Sequence, residues 1–84
     1  MNYKIELEKS AQKFLRKQDR TTQKRILQAL SKLPYEGDVK PLKGDRETYR
    51  LRIGNIRAIY RPDQGRLIVY VLDIDSRGQI YNRW

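Results

Sequence analysis

The sequence predicts an α+β fold of order β-α-α-β-β-β, with two N-terminal helices packed on one face of a mostly antiparallel sheet. Three observations carry that prediction. Apolar residues recur at helical spacing from Ala11 to Leu33, then at every second position after Thr48. Gly54-Asn55 separates two alternating runs, as in a two-residue hairpin loop. The 84 residues suffice for one modest core, so a single domain over 1–84 is expected.

Each element follows in order. Tyr3, Ile5 and Leu7 alternate with polar neighbours and predict a first strand. Ser10 is the expected N-cap of a short helix whose apolar stripe is Ala11, Phe14 and Leu15. Gln18-Asp19-Arg20 interrupts it, and Asp19 or Thr21 is expected to cap a second helix. There Ile26, Leu27, Leu30 and Leu33 line one side, while Lys24, Arg25, Gln28 and Lys32 point elsewhere. Pro34 closes this helix because it cannot continue the ladder of backbone hydrogen bonds.

Tyr35 to Lys40 reads as a polar loop, Pro41 to Gly44 as extended chain and Asp45-Arg46-Glu47 as a turn. Thr48 to Ile53 and Ile56 to Arg61 are the hairpin strands, and Pro62-Asp63-Gln64-Gly65 is a four-residue turn. Arg66 to Ile74, apolar on both faces, is expected to be a central strand. Asp75 to Trp84 forms a tail.

Composition narrows the chemistry. Nineteen basic and ten acidic residues leave a formal charge of +9, a field suited to nucleic acid, acidic lipid or an acidic protein. Without histidine there is no histidine acid–base pair, no histidine-held metal and no serine triad for Ser10, Ser31 or Ser76. Without cysteine there is no disulfide or thiolate–zinc site. Asp73 and Asp75 among many arginines are weak evidence for magnesium, and no glycine-rich phosphate loop is present. No cofactor is expected. Charges at Lys4, Glu6, Glu8 and Lys9 argue against a signal peptide, and the longest apolar run, Leu67 to Leu72, is strand-sized. A soluble, cytoplasmic protein with no membrane contact is expected.

The hairpin is the most informative segment. If Gly54 and Asn55 form the turn, Ile53 faces Ile56, Arg52 faces Arg57, Leu51 faces Ala58 and Arg50 faces Ile59. One face then carries Tyr49, Leu51, Ile53, Ile56, Ala58 and Tyr60 toward the helices. The other carries Arg50, Arg52, Arg57, Ile59 and Arg61. Like charges directly across strands destabilise a sheet, whereas a favourable pair contributes about 0.2–1 kcal/mol. An anion bridging Arg52 and Arg57 would explain the arrangement, because guanidinium binds phosphate through two parallel hydrogen bonds. The competing reading sends these arginines into water or onto Glu47, Asp73 or Asp75. The tail adds Arg77, Tyr81, Arg83 and Trp84; Tyr81 offers a phenol that can take a proton or stack under a base.

The run Leu42-Lys43-Gly44, Tyr49 to Gly54 and Ile56 to Tyr60 resembles the RelE/ParE toxin superfamily. The apolar strand Leu67 to Ile74, the segment Arg77 to Tyr81 and the opening Tyr3 to Leu15 extend the resemblance over nearly the whole chain. It implies a RelE-like fold and an activity like that of RelE toxins, which cut messenger RNA in the ribosomal A site without metal. There a 2′-hydroxyl attacks the adjacent phosphate and leaves a 2′,3′-cyclic phosphate. On this resemblance Arg52, Arg57, Arg77 and Tyr81 are the expected catalytic residues. Arg57 would stabilise charge on the reacting phosphate, Arg77 would aid the leaving group, and Tyr81 would act as general base or stacking platform. Lys43, Arg50, Arg61 and Arg83 are expected to bind RNA.

The resemblance also implies an acidic cognate antitoxin, with operator DNA bound only through that antitoxin. Two alternatives remain: a ParE-like, non-catalytic inhibitor of DNA gyrase, or a basic nucleic-acid-binding module.

Overall fold

The computed structural model describes residues 3–42, 44 and 47–84. Lys43, an expected RNA contact, and Asp45-Arg46 of the expected turn lie outside them. The chain runs β1 (Lys4–Leu7), α1 (Lys9–Arg16), α2 (Arg20–Ser31), β2 (Asp38–Pro41), β3 (Tyr49–Ile53), β4 (Ile56–Asp63), β5 (Ile68–Ser76) and α3 (Arg77–Ile80). The five strands form one sheet in the order β1-β5-β4-β3-β2, in which β1 is parallel to β5 and every other pair is antiparallel. The α+β architecture and the two helices before a mostly antiparallel sheet are as the sequence predicts.

The predicted core forms between the helices and one sheet face. Ala11, Ile26, Leu30 and Leu33 meet Leu51, Ile53, Ala58, Tyr60, Val69, Val71 and Ile74, all buried. Asp19 caps α2 as expected: its Oδ1 accepts the Thr22 N–H at 2.8 Å. That bond satisfies one of the free donors at the helix start and holds the Asp19 carboxyl below its usual range. Ser10 does not cap α1. The helix already starts at Lys9 after an extended Glu8, which makes no side-chain cap, and the Ser10 hydroxyl instead donates to Asp73.

Three features depart from the expected β-α-α-β-β-β order. The segment that reads as a loop in the sequence supplies β2, an edge strand on β3 whose register sets Asp38 against Arg52 and Val39 against Leu51. Only Val39 is apolar in its interior, so no period of two could mark it, and Pro41 is tolerated because the strand is an edge. The turn after β4 starts two residues later than predicted. Pro62 and Asp63 still pair with Val69 and Ile68, and the Asp63 carboxylate accepts the Arg66 N–H to close the reversal. The tail, finally, folds into α3, which packs on β4 and β5; Ile59 and Ile80 are fully buried outside the main core.

β5 lies inside the sheet, between β1 and β4, and carries a bulge that the sequence does not announce. Ile59 pairs with Asp73 but Tyr60 pairs with Val71, which leaves Leu72 as an extra residue. The side-chain phase therefore slips by one. Val69, Val71 and Ile74 enter the core, and Asp73 stays out of it beside Ile59. Without the slip, Asp73 would share the face of Val69 and Val71.

A chain of this size has a total stability of only about 4–13 kcal/mol. Leu30→Ala should therefore lower it by about 2–5 kcal/mol in urea unfolding, because the side chain is almost wholly buried between α2 and the sheet. A loss below about 1 kcal/mol would contradict this packing.

Candidate phosphate-binding site at the hairpin turn

The predicted hairpin register is the observed one. Arg52 stands opposite Arg57, Arg50 opposite Ile59, and Gly54 adopts φ of +59°, a left-handed conformation suited to glycine. Arg57 is the unusual member. Its side chain turns back on the loop: Nη1 donates to the Gly54 carbonyl at 2.6 Å and to the Ile56 carbonyl at 3.0 Å. The residue is only 5% exposed, and its Nε is buried with no hydrogen-bond partner among the described residues. Asp75 is its cross-strand neighbour, yet the Asp75 carboxylate bonds to Ser76 N–H and Arg83 instead. Arg57 is thus a buried cation held by carbonyls rather than by a carboxylate.

The other predicted residues separate into two groups. Arg52 is exposed beside Arg57, and Arg77 begins α3 next to the turn, where its backbone N–H donates to the Asn55 carbonyl at 2.8 Å. Tyr81 follows at the C-terminal end of α3, about half exposed. Arg52, Arg57 and the Arg77 backbone thus lie at the turn end of the hairpin, and Tyr81 lies four residues beyond Arg77. Arg61 does not join them, because it lies four residues from Arg57 along β4, roughly 13 Å at ordinary strand rise. It sits over the Tyr70 ring at 5.8 Å and lines an open cleft of about 530 Å³ with Tyr49 and Pro62. That cleft also contains Glu47 and Asp63, so its charge is mixed.

Arg50 and Arg52 do have an acid nearby. Asp38, brought in by β2, lies 4.0 Å from Arg50 Nη2 and 3.9 Å from Arg52 Nη1. At that distance, and with Arg52 and Asp38 both half exposed, the pairing contributes little stability. Arg83 is held far more firmly. Its Nε and Nη2 donate to Asp73 and Asp75, each at 2.7 Å, and the Trp84 indole N–H donates to the same Asp73 oxygen at 2.9 Å. Of the acids expected to compete for the hairpin arginines, Asp73 and Asp75 thus take a tail arginine instead.

Two titrations follow from burial and bonding. Burial pushes the Tyr60 phenol up to about 12, aided by the stacked Tyr49, so Tyr60 remains a neutral core residue rather than a proton carrier. Burial would also raise the Asp73 carboxyl, but hydrogen bonds from Arg83, Ser10 and Trp84 outweigh it and hold the group below its ordinary 3.8. Charge distribution adds a feature that the hairpin alone does not show. Residues 9–32 hold eight Lys or Arg and one acid, Asp19, so seven of the nine net positive charges lie in the helical layer. A charge count by segment finds this without any structure.

A family model for the ParE toxin of type II toxin–antitoxin systems, parDE, matches residues 5–81. The chain belongs to this toxin family, within the RelE/ParE superfamily. Solved RelE structures share its fold. The archaeal RelE–RelB complex from Pyrococcus horikoshii OT3 is 28% identical, with 94% of this chain and 99% of that one covered and a TM-score of 0.77. The RelBE2 toxin–antitoxin complex of Mycobacterium tuberculosis gives 24% identity, coverage of 92% and 100%, and a TM-score of 0.77. Isolated E. coli RelE gives 20%, 95% and 92%, and 0.73. No curated protein matches the chain significantly. In this toxin, no described helix is long and apolar enough to cross a membrane, and no three described acidic side chains are grouped to hold a metal ion.

The bonds on Asp73 define a pH response. Because its folded value is depressed, the stabilisation of the tail is complete above the unfolded value of 3.8 and is lost as pH falls through the lower folded one. Trp84 is the sole tryptophan, so its emission reports this directly. It should hold steady down to pH 3.8 and change below it, and Asp73→Asn should abolish that transition; a midpoint above 3.8 would contradict the assignment.

Proposed function

We propose that this toxin is a metal-independent endoribonuclease, acting as a single domain on messenger RNA in the ribosomal A site. The observation that most supports this reading is the Arg57 guanidinium, buried without a carboxylate and with Nε lacking an acceptor. A buried charge is costly unless paired and hydrogen-bonded. The scissile phosphate would complete the set of acceptors: the Gly54 carbonyl already fixes the guanidinium, and the groups that cover Nε would move aside to admit the phosphate.

In this reading each residue takes the role that the resemblance to RelE toxins implies. Arg57 stabilises the charge that builds on the phosphate as the bond from the 2′-oxygen to phosphorus forms and the bond from phosphorus to the 5′-oxygen breaks. Arg52 contacts the phosphate from the neighbouring strand, and Arg77 stabilises the departing oxygen. Tyr81 accepts the 2′-hydroxyl proton or stacks under the flanking base. Arg50 and Lys43 are further backbone contacts in this reading, with Arg61 on the path at the far end of the hairpin. Arg83 serves RNA only indirectly, by fixing the tail on Asp73 and Asp75. The partners are an acidic cognate antitoxin, consistent with the antitoxin-bound RelE structures, and operator DNA through it. The site of action would be cytoplasmic.

A second reading, inhibition of DNA gyrase without catalysis, is favoured by the family model, which is that of ParE. The two are separated by one pair of assays. On ribosomes programmed with messenger, the wild-type toxin should cut the message and leave gyrase supercoiling unaffected. Arg57→Ala and Tyr81→Ala should each slow cutting by about 100-fold or more with unchanged circular dichroism. Intact messenger together with blocked supercoiling would overturn the nuclease and establish the gyrase reading.

A further inference from the structure

The Gly54 turn is approached from a second side. Arg25, on α2, lays the end of its guanidinium against Gly54, with Nη2 and Cζ nearest to where a Cβ would stand. The left-handed turn favours glycine at position 54, and a side chain there would also have to displace the flexible end of Arg25. Arg57 Nη1 holds the carbonyl of the same residue. Two guanidinium groups, one from the helical layer and one from β4, therefore flank a single glycine. Neither has a carboxylate partner among the described residues, and Arg25 makes no hydrogen bond or ion pair among them.

α2 and Arg57 lie on opposite faces of the hairpin, so a phosphodiester backbone that crosses its tip meets one cation after the other. The geometry points to Arg25 as a further phosphate-binding residue, which joins the helical layer to the hairpin site and grips the backbone of a single-stranded RNA beside the phosphate at Arg57. The inference rests on the RNA reading of the site but not on cleavage. It also gives the charge of the helical layer a direction. An RNA strand leaving Arg57 passes Arg25 and continues along the segment that holds seven of the net charges.

Binding is measured apart from cleavage with a fluorescent, fully 2′-O-methylated oligonucleotide, which has no hydroxyl to attack. Each phosphate contact contributes about 0.7 to the slope of log affinity against log salt for a single strand. Arg25→Gln should therefore lower that slope by about 0.7 and weaken binding several-fold at low salt. Arg25→Lys, which keeps the charge, should retain most of it. Arg66→Gln removes an exposed arginine from the turn between β4 and β5 and should leave the slope unchanged. An unchanged slope in Arg25→Gln, or an equal loss in Arg66→Gln, overturns the inference. If unmodified messenger is cut while Arg25→Gln binds like wild type, Arg25 fails alone. If no messenger is cut while the slope falls, the nuclease reading fails and Arg25 stands. Wild-type protein with no salt-sensitive binding overturns both.

Discussion

The two-residue turn at Gly54-Asn55 is the constraint on which the candidate site of this toxin depends. Its left-handed glycine locks β3 and β4 into one register, and that register decides which side chains meet the helices. The same two residues then act as ligands for their surroundings. The Gly54 carbonyl holds Arg57, the bare Gly54 Cα admits Arg25, and the Asn55 carbonyl receives the first N–H of α3. Three parts of the chain, far apart in sequence, are tied to one loop. A one-residue slip in this hairpin would place Arg57 on the core face and Ala58 on the solvent face.

A second fixed point lies across β5. The bulge at Leu72 keeps Asp73 out of the core and beside the tail, where Ser10, Arg83 and Trp84 converge on it. This cluster fixes the segment that carries Arg77 and Tyr81 without using either side chain. It also removes two acids from competition with the hairpin. With Asp73 and Asp75 taken by Arg83, Arg57 keeps its charge without a carboxylate. Burial of a cation in this way costs stability unless its hydrogen bonds are completed.

What the sequence could disclose follows from how local each signal is. The hairpin register was legible because it depends on two adjacent residues and a strict alternation, and every predicted pair from Arg50–Ile59 to Ile53–Ile56 is observed. The helix stripes were legible for the same reason. β2 was not, since one valine carries its whole apolar signal and its strand character comes from its partner, Leu51. The bulge was not, because Leu72 is as apolar as its neighbours. Nor was the role of Ser10, which suits an N-cap locally but meets a carboxylate 63 positions away. At the site, the cross-strand arginines could be paired on paper, whereas the burial of Arg57 and the approach of Arg25 depend on tertiary packing.

In the proposed reading Arg57, held at the turn by the Gly54 carbonyl, receives the phosphate at its unpartnered Nε. Nitrogen-15 NMR of the arginine side chains tests it most directly, with the 2′-O-methylated oligonucleotide as titrant. The Arg57 Nε–H resonance should move downfield and exchange more slowly as the RNA is added, because its proton gains an acceptor. If other arginine resonances report binding while Arg57 Nε–H stays where it began, the phosphate lies elsewhere and the account is wrong.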